Sequence, residues 1–126
     1  MYTANPYNVY KQNSVNMASS QQLLLMLLDG AVKYIKIARL AILNKDIPRA
    51  HKELVRVQDI FLELMITMDK NAGYMEDLYN LYDFIKNELA KANLRKDVNI
   101  IDEVLPLIEE IRDMWYEVDK KIKSGK

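Results

Sequence analysis

The sequence predicts an all-α fold, an antiparallel up-down four-helix bundle with an irregular N-terminal segment packing over it. Three observations predict it. From Ser19 onward, apolar residues recur at alternating spacings of three and four. The four stretches that do so are separated by breaks of only a few residues, as neighbouring antiparallel helices require. No stretch alternates with the period of two that a half-buried strand needs, and 3 glycines and 3 prolines in 126 residues leave little turn chemistry beyond those breaks.

Residues 1–18 stand apart as a flap segment. Before Asp29 the only charged side chain is Lys11, whereas Tyr2, Tyr7, Tyr10, Val9 and Val15 sit among asparagines, serines and threonines. Pro6 and the asparagines oppose a long regular helix, yet a solvated tail would be charged and poor in aromatics. The bundle is expected over residues 19–123, with helices at about 20–43, 47–69, 74–93 and 98–122 and a short tail at 124–126. Ser19 followed by Gln22 has the pattern of a capping box, and the first inward seam runs Leu24, Leu28, Ala31, Ile35, Ala38 and Ile42. Asp46 is the expected cap of the second helix, with Pro48 in its first turn and a seam of Ala50, Leu54, Val57, Phe61, Leu64 and Met68. A turn around Asn71 and Gly73 precedes the third seam, Met75, Leu78, Tyr82, Ile85, Leu89 and Ala92. Asp97 caps the fourth, which runs Ile101, Val104, Ile108, Ile111, Trp115, Val118 and Ile122. Pro106 falls inside this last helix, removes one backbone hydrogen bond and crowds the carbonyl of Asp102, so a kink or break is expected there.

Composition then narrows the function. Half of the residues are hydrophobic, 18 basic side chains balance 18 acidic ones, and there is no cysteine. The chain has no disulfide framework, thiol nucleophile or cysteine-ligated metal, which fits a reducing cytoplasm. Zero net charge gives no long-range attraction to nucleic acid or anionic lipid. The apolar run Leu23–Leu28 is too short to span a bilayer, and no basic residue precedes a signal-like apolar stretch. A cytoplasmic protein is expected, with no nucleic-acid partner and no membrane insertion.

The chemistry of catalysis is missing too. His51 is the single histidine, so a di-iron bundle with paired Glu-x-x-His motifs cannot be assembled. A histidine phosphotransfer domain would place lysine and glycine three and four residues after the histidine, where this chain has Leu54 and Val55. The neighbouring acids Asp102 and Glu103, and Glu109 and Glu110, point about 100° apart on a helix and do not converge. No glycine-rich phosphate loop or nucleophile elbow is present. No enzymatic activity, cofactor or metal is expected.

What remains is apolar surface. Beyond the seams, the first helix adds Leu25, Val32, Leu27, Tyr34 and Ala41, the third adds Tyr74, Tyr79, Leu81 and Phe84, and the fourth adds Ile100, Leu107 and Met114 in one column. Either a wide core consumes this surplus, or the N-terminal segment, a second copy or a partner's helix covers it.

Several stretches together resemble one family, the flagellin-specific export chaperones of the bacterial flagellar secretion system. Asn5-Pro6-Tyr7-Asn8-Val9-Tyr10-Lys11-Gln12-Asn13-Ser14-Val15 is similar to its opening, with two tyrosines three apart. Leu25-Met26-Leu27-Leu28-Asp29-Gly30-Ala31 resembles its Leu-Met-Leu-Tyr-Asp-Gly-Ala signature, with Leu28 in place of the tyrosine. Leu81-Tyr82-Asp83-Phe84, Ala92-Asn93-Leu94-Arg95-Lys96-Asp97 and Arg112-Asp113-Met114-Trp115 resemble its later motifs in order, while Ser20 and Pro106 stand where members often carry proline and a small residue.

The resemblance implies a cytoplasmic four-helix bundle that binds the disordered C-terminal segment of flagellin, prevents premature polymerisation and delivers it to a component of the flagellar export gate. It also implies that Tyr7 and Tyr10 belong to a client-binding, regulatory N-terminal segment. An amphipathic client helix needs anchors that the bundle does not consume. Leu27, Tyr34, Tyr79, Leu81, Leu107 and Met114 are therefore expected to be partly accessible and to contact client. A homodimer, as a self-associating interaction module, is the competing use of the same surface.

Overall fold

The computed structural model describes residues 20–68, 73 and 75–125. Four helices account for almost all of them, and no strand occurs among the described residues: α1 (Ser20–Leu43), α2 (Ile47–Ile66), α3 (Met75–Arg95) and α4 (Val98–Lys123). Each helix packs on two others, α1 on α2 and α4, α3 on α2 and α4, so the four close into a ring with the core along its axis. Neighbours run antiparallel. Along the α1–α4 edge, Asp29 meets Tyr116, Lys36 meets Glu109 and Arg39 meets Asp102, one number rising as the other falls. Across α2 and α3, His51 pairs with Asn93 and Phe61 with Tyr82 in the same opposed sense.

The predicted seams form the core. Leu28, Ala31, Ile35 and Ala38 of α1, Ala50, Leu54, Val57, Phe61 and Leu64 of α2, and Tyr82, Ile85, Leu89 and Ala92 of α3 are buried with Ile101, Val104, Ile108 and Ile111 of α4. Seam ends loosen: Leu24, Ile42, Leu78 and Val118 are half-buried and Ile122 is exposed. The core is wider than the seams. Leu25, Leu27, Val32 and Ala41, taken from sequence as surplus, are all buried, because α1 lies between two neighbours and both flanks of its seam are covered. The expectation of accessibility thus fails at Leu27, which is 6% exposed.

Side-chain chemistry sets the helix ends. Asp46 accepts from the backbone N–H of Arg49 at 3.2 Å and Asp97 from that of Asn99 at 2.9 Å, the two caps the sequence names. The second helix ends at Ile66, short of residue 69, with Thr67 as its cap, whose hydroxyl donates to the Glu63 carbonyl at 2.9 Å. The third runs on past Asn93 to Arg95, since the Asn93 side chain engages His51 instead of turning the chain. No break occurs at Pro106: α4 is continuous through it, and both Pro106 and Asp102 are exposed, so the lost hydrogen bond falls on the solvent side of the helix. Ser19 and the flap at 1–18 lie outside the described residues.

Candidate client-binding surface

The six apolar candidates do not form one patch. The ring topology distributes them. At 100° of rotation per residue, Tyr79 and Asn93 share the side of α3 that the His51–Asn93 contact turns toward α2, and Leu81 lies on the flank toward α4. On α4, Asp102, Glu109 and Tyr116 make the stripe that binds α1. Leu107 and Met114 occupy the stripe on the other side, toward α3. Leu81, Leu107 and Met114 therefore share the α3–α4 groove, Tyr79 lies in the α2–α3 groove and Tyr34 in the α1–α2 groove. Tyr34, Tyr79, Leu81 and Leu107 are half-buried against the core, and Met114 is 42% exposed. Tyr7 and Tyr10 lie outside the described residues.

Buried Leu27 still has a place in a surface feature. It lines a pocket of ≈ 480 Å³ at the end of the bundle where α1 and α3 begin and α2 ends. Leu23, Leu24, Leu64, Met68 and Leu78 share that lining, and Tyr82 and Trp115 close it toward the core. The floor is fixed by specific contacts. The Trp115 indole N–H donates to the Tyr82 hydroxyl at 3.0 Å, and Phe61 meets Tyr82 edge-on with ring centroids 5.7 Å apart. Gln21 Nε2 donates to the Trp115 carbonyl at 3.4 Å, joining the start of α1 to α4 at the rim. Periodicity names Leu24, Leu64, Met68, Leu78, Tyr82 and Trp115 as seam residues and Leu27 as surplus; that they open into a pocket follows from where the helix ends meet.

The grooves differ in electrostatics. The α1–α4 edge is bridged along its length by polar contacts: the Tyr116 hydroxyl donates to Asp29, and Arg39 Nε lies 2.6 Å from Asp102. Arg39 holds the Asp102 carboxyl below the usual range by hydrogen bond and charge. The hydrogen bond to Asp29 is the main reason the Tyr116 phenol is raised. In the α1–α2 groove the Arg56 guanidinium stacks 5.0 Å over the Tyr34 ring and also bonds Glu53, a carboxylate buried between Arg49 and Arg56. The α3–α4 groove instead carries Leu81, Leu107 and Met114, with Glu88 on the same flank of α3 as Leu81 and paired with Lys91 at 3.1 Å. Among the described residues no group of histidines or acids could hold a metal, and His51, exposed and paired with Asn93, faces no partner acid. No helix of the described residues is long and apolar enough to cross a membrane.

Comparison with known proteins agrees with this picture. The sequence profile of the family described as "Flagellar protein FliS" matches residues 3–122. The chain is 36% identical to the flagellar secretion chaperone FliS of Bacillus subtilis (strain 168), covering 99% of this chain and 96% of that protein. It is 33% identical to the flagellar secretion chaperone FliS of Salmonella typhimurium, over 96% of this chain and 95% of the other. A structure titled "Crystal structure of flagellar chaperone from bacteria" superposes with a TM-score of 0.75 at 14% identity, over 92% of this chain and 96% of that one, a likeness of fold. These likenesses, along nearly its whole length, make the chain a member of the FliS family of flagellar secretion chaperones, which are not enzymes.

Proposed function

We propose that the chain is a cytoplasmic chaperone for the C-terminal segment of flagellin, which it keeps from polymerising prematurely and hands to the flagellar export apparatus. The observation that carries this reading is the division of the surface. The α1–α4 edge is closed by polar bridges, while the pocket and the α3–α4 groove keep apolar side chains the bundle does not cover. A disordered client that folds on binding spends roughly 2–5 kcal/mol on ordering, so it needs a long apolar track. Half-buried Leu23, Leu24, Met68 and Leu78 at the pocket, above a floor that includes Leu27 and Trp115, and Leu81, Leu107 and Met114 along the groove, supply anchors for client helices. Tyr34 and Tyr79 extend the track to the other two grooves, and Tyr7 and Tyr10 belong to the N-terminal segment that client binding rearranges. The names of the relatives, flagellar secretion chaperones, support the same reading. Calorimetry with the C-terminal peptide of flagellin from the same organism tests it. Saturable binding with a negative heat-capacity change is expected; a flat titration, or a stable homodimer that ignores the peptide, would overturn it.

A further inference from the structure

The two short connectors are built to one plan. Leu43-Asn44-Lys45-Asp46-Ile47 joins α1 to α2, and Leu94-Arg95-Lys96-Asp97-Val98 joins α3 to α4. In each, the lysine follows the helix at positive φ, 61° at Lys45 and 49° at Lys96. In each, the next aspartate donates its backbone N–H to an alanine carbonyl five residues back: Asp46 to Ala41 at 2.8 Å, Asp97 to Ala92 at 3.2 Å. Glycine or asparagine is the usual occupant of that left-handed position, because a Cβ there crowds the following carbonyl. A lysine held in it at both connectors is a backbone outlier of the kind from which a role beyond folding is inferred.

Both connectors lie at the same end of the bundle. His51 on α2 pairs with Asn93 on α3, and Arg39 on α1 with Asp102 on α4, so two helix ends and two helix starts meet there. That end is apolar and cationic together. Leu94 is 85% exposed and Leu43 51%, with Leu40 and Ile47 exposed near them. Lys45, Lys52 and Arg95 are exposed and form no ion pair with a described residue. The acids nearby are engaged: Asp46 and Asp97 cap helices, Asp102 holds Arg39, and Glu53 is buried between two arginines. Of the acids in the first turns of α4, only Glu103 is left free among the described residues.

We infer that the connector end is a second docking surface, which takes an acidic amphipathic segment of a partner protein. Leu43 and Leu94 anchor its apolar side, and Lys45, Lys52 and Arg95 meet its carboxylates, while the half-buried Lys96 ammonium, donating to the Asn93 carbonyl at 2.6 Å, adds its charge from beneath. The surface sits at the opposite end of the bundle from the pocket, so both can be occupied at once, and the inference stands whatever client the pocket takes.

The probe is a pair of synthetic amphipathic peptides of about 20 residues, long enough for several helical turns, one with glutamates and one with lysines on the polar face. They are titrated into the whole chain. The glutamate peptide is expected to shift the backbone NMR signals of Leu43, Lys45, Leu94 and Lys96, and the lysine peptide to leave them in place. The deciding variant is Lys45→Gly with Lys96→Gly, which removes both cations while installing the residue the turn prefers. It should fold with an equal or higher Tm and bind the glutamate peptide roughly tenfold more weakly. Equal binding of the two peptides, shifts confined to the pocket end, or unchanged affinity in the glycine variant would overturn the inference. So would a concentration-dependent dimer in sedimentation that Leu94→Ser abolishes, since it would assign this end to a second copy.

Discussion

The Trp115 indole illustrates what a single buried polar atom costs. Its N–H donates to the Tyr82 hydroxyl at 3.0 Å, a buried pair in the floor of the pocket. Tyr82→Phe keeps the ring and its edge-on contact with Phe61 but leaves that donor unpaired. Destabilisation of about 1–3 kcal/mol is expected, read as a lower denaturant midpoint. Tyr116 acts through its proton instead. Its hydroxyl donates to Asp29, and that hydrogen bond, with burial and the charge of Asp29, raises the phenol above its ordinary value. A group whose folded pKa is raised contributes stability that is complete below its unfolded pKa, about 10 for tyrosine, and lost as pH climbs through the folded one. An absorbance titration of the folded chain should therefore show a late-ionising tyrosine that is missing from Tyr116→Phe. His51 and Asn93 mark the limit of single-residue reading from sequence. Each alone suggests a surface polar residue, and their pairing across 42 positions follows only once α2 and α3 are side by side.

At the scale of the element, the helices keep their continuity by exposing their faults. Pro106 costs α4 a hydrogen bond, but on the solvent side, while Val104, Ile108 and Ile111 stay packed. Pro106→Ala restores the bond without disturbing the core, and stabilisation of up to about 3 kcal/mol is expected, visible as a raised Tm. A smaller gain would locate compensation for the proline elsewhere in the helix. Helix ends obey local chemistry that periodicity does not contain. Thr67 caps α2 with its hydroxyl on the Glu63 carbonyl, whereas Asn93, a residue that usually favours turns, stays helical with its side chain engaged by His51. The inward seams were legible because a period near 3.6 must place them on one face. On α1 the surplus serves a wide core, one of the two uses the sequence leaves open, and only the expectation at Leu27 fails. Periodicity tells which columns are apolar, but not which flanks the neighbouring helices cover.

For the whole molecule, the ring arrangement decides where client can lie. With the α1–α4 edge bridged, the proposed client track falls on the pocket and the α3–α4 groove, with Tyr34 and Tyr79 continuing it in the other two grooves. Met114→Asp should weaken binding of the flagellin tail by about tenfold in calorimetry, near 1.4 kcal/mol, with little change in Tm because Met114 is exposed. Leu81→Asp, by contrast, should also lower Tm, because Leu81 packs against the core. Four of the six apolar candidates are half-buried against the core and Met114 is exposed. Sequence could identify them as spare residues, but not assign them to grooves, since that depends on which helix lies on which side. The bridged edge has a mechanical consequence as well. Ser20 begins α1 and Lys123 ends α4 at the same end of the bundle, so tension applied between those two points loads the edge as a zipper instead of in shear. The contacts from Gln21 with Trp115 to Arg39 with Asp102 would break in succession, each at low force, and the connector end would be the last to yield.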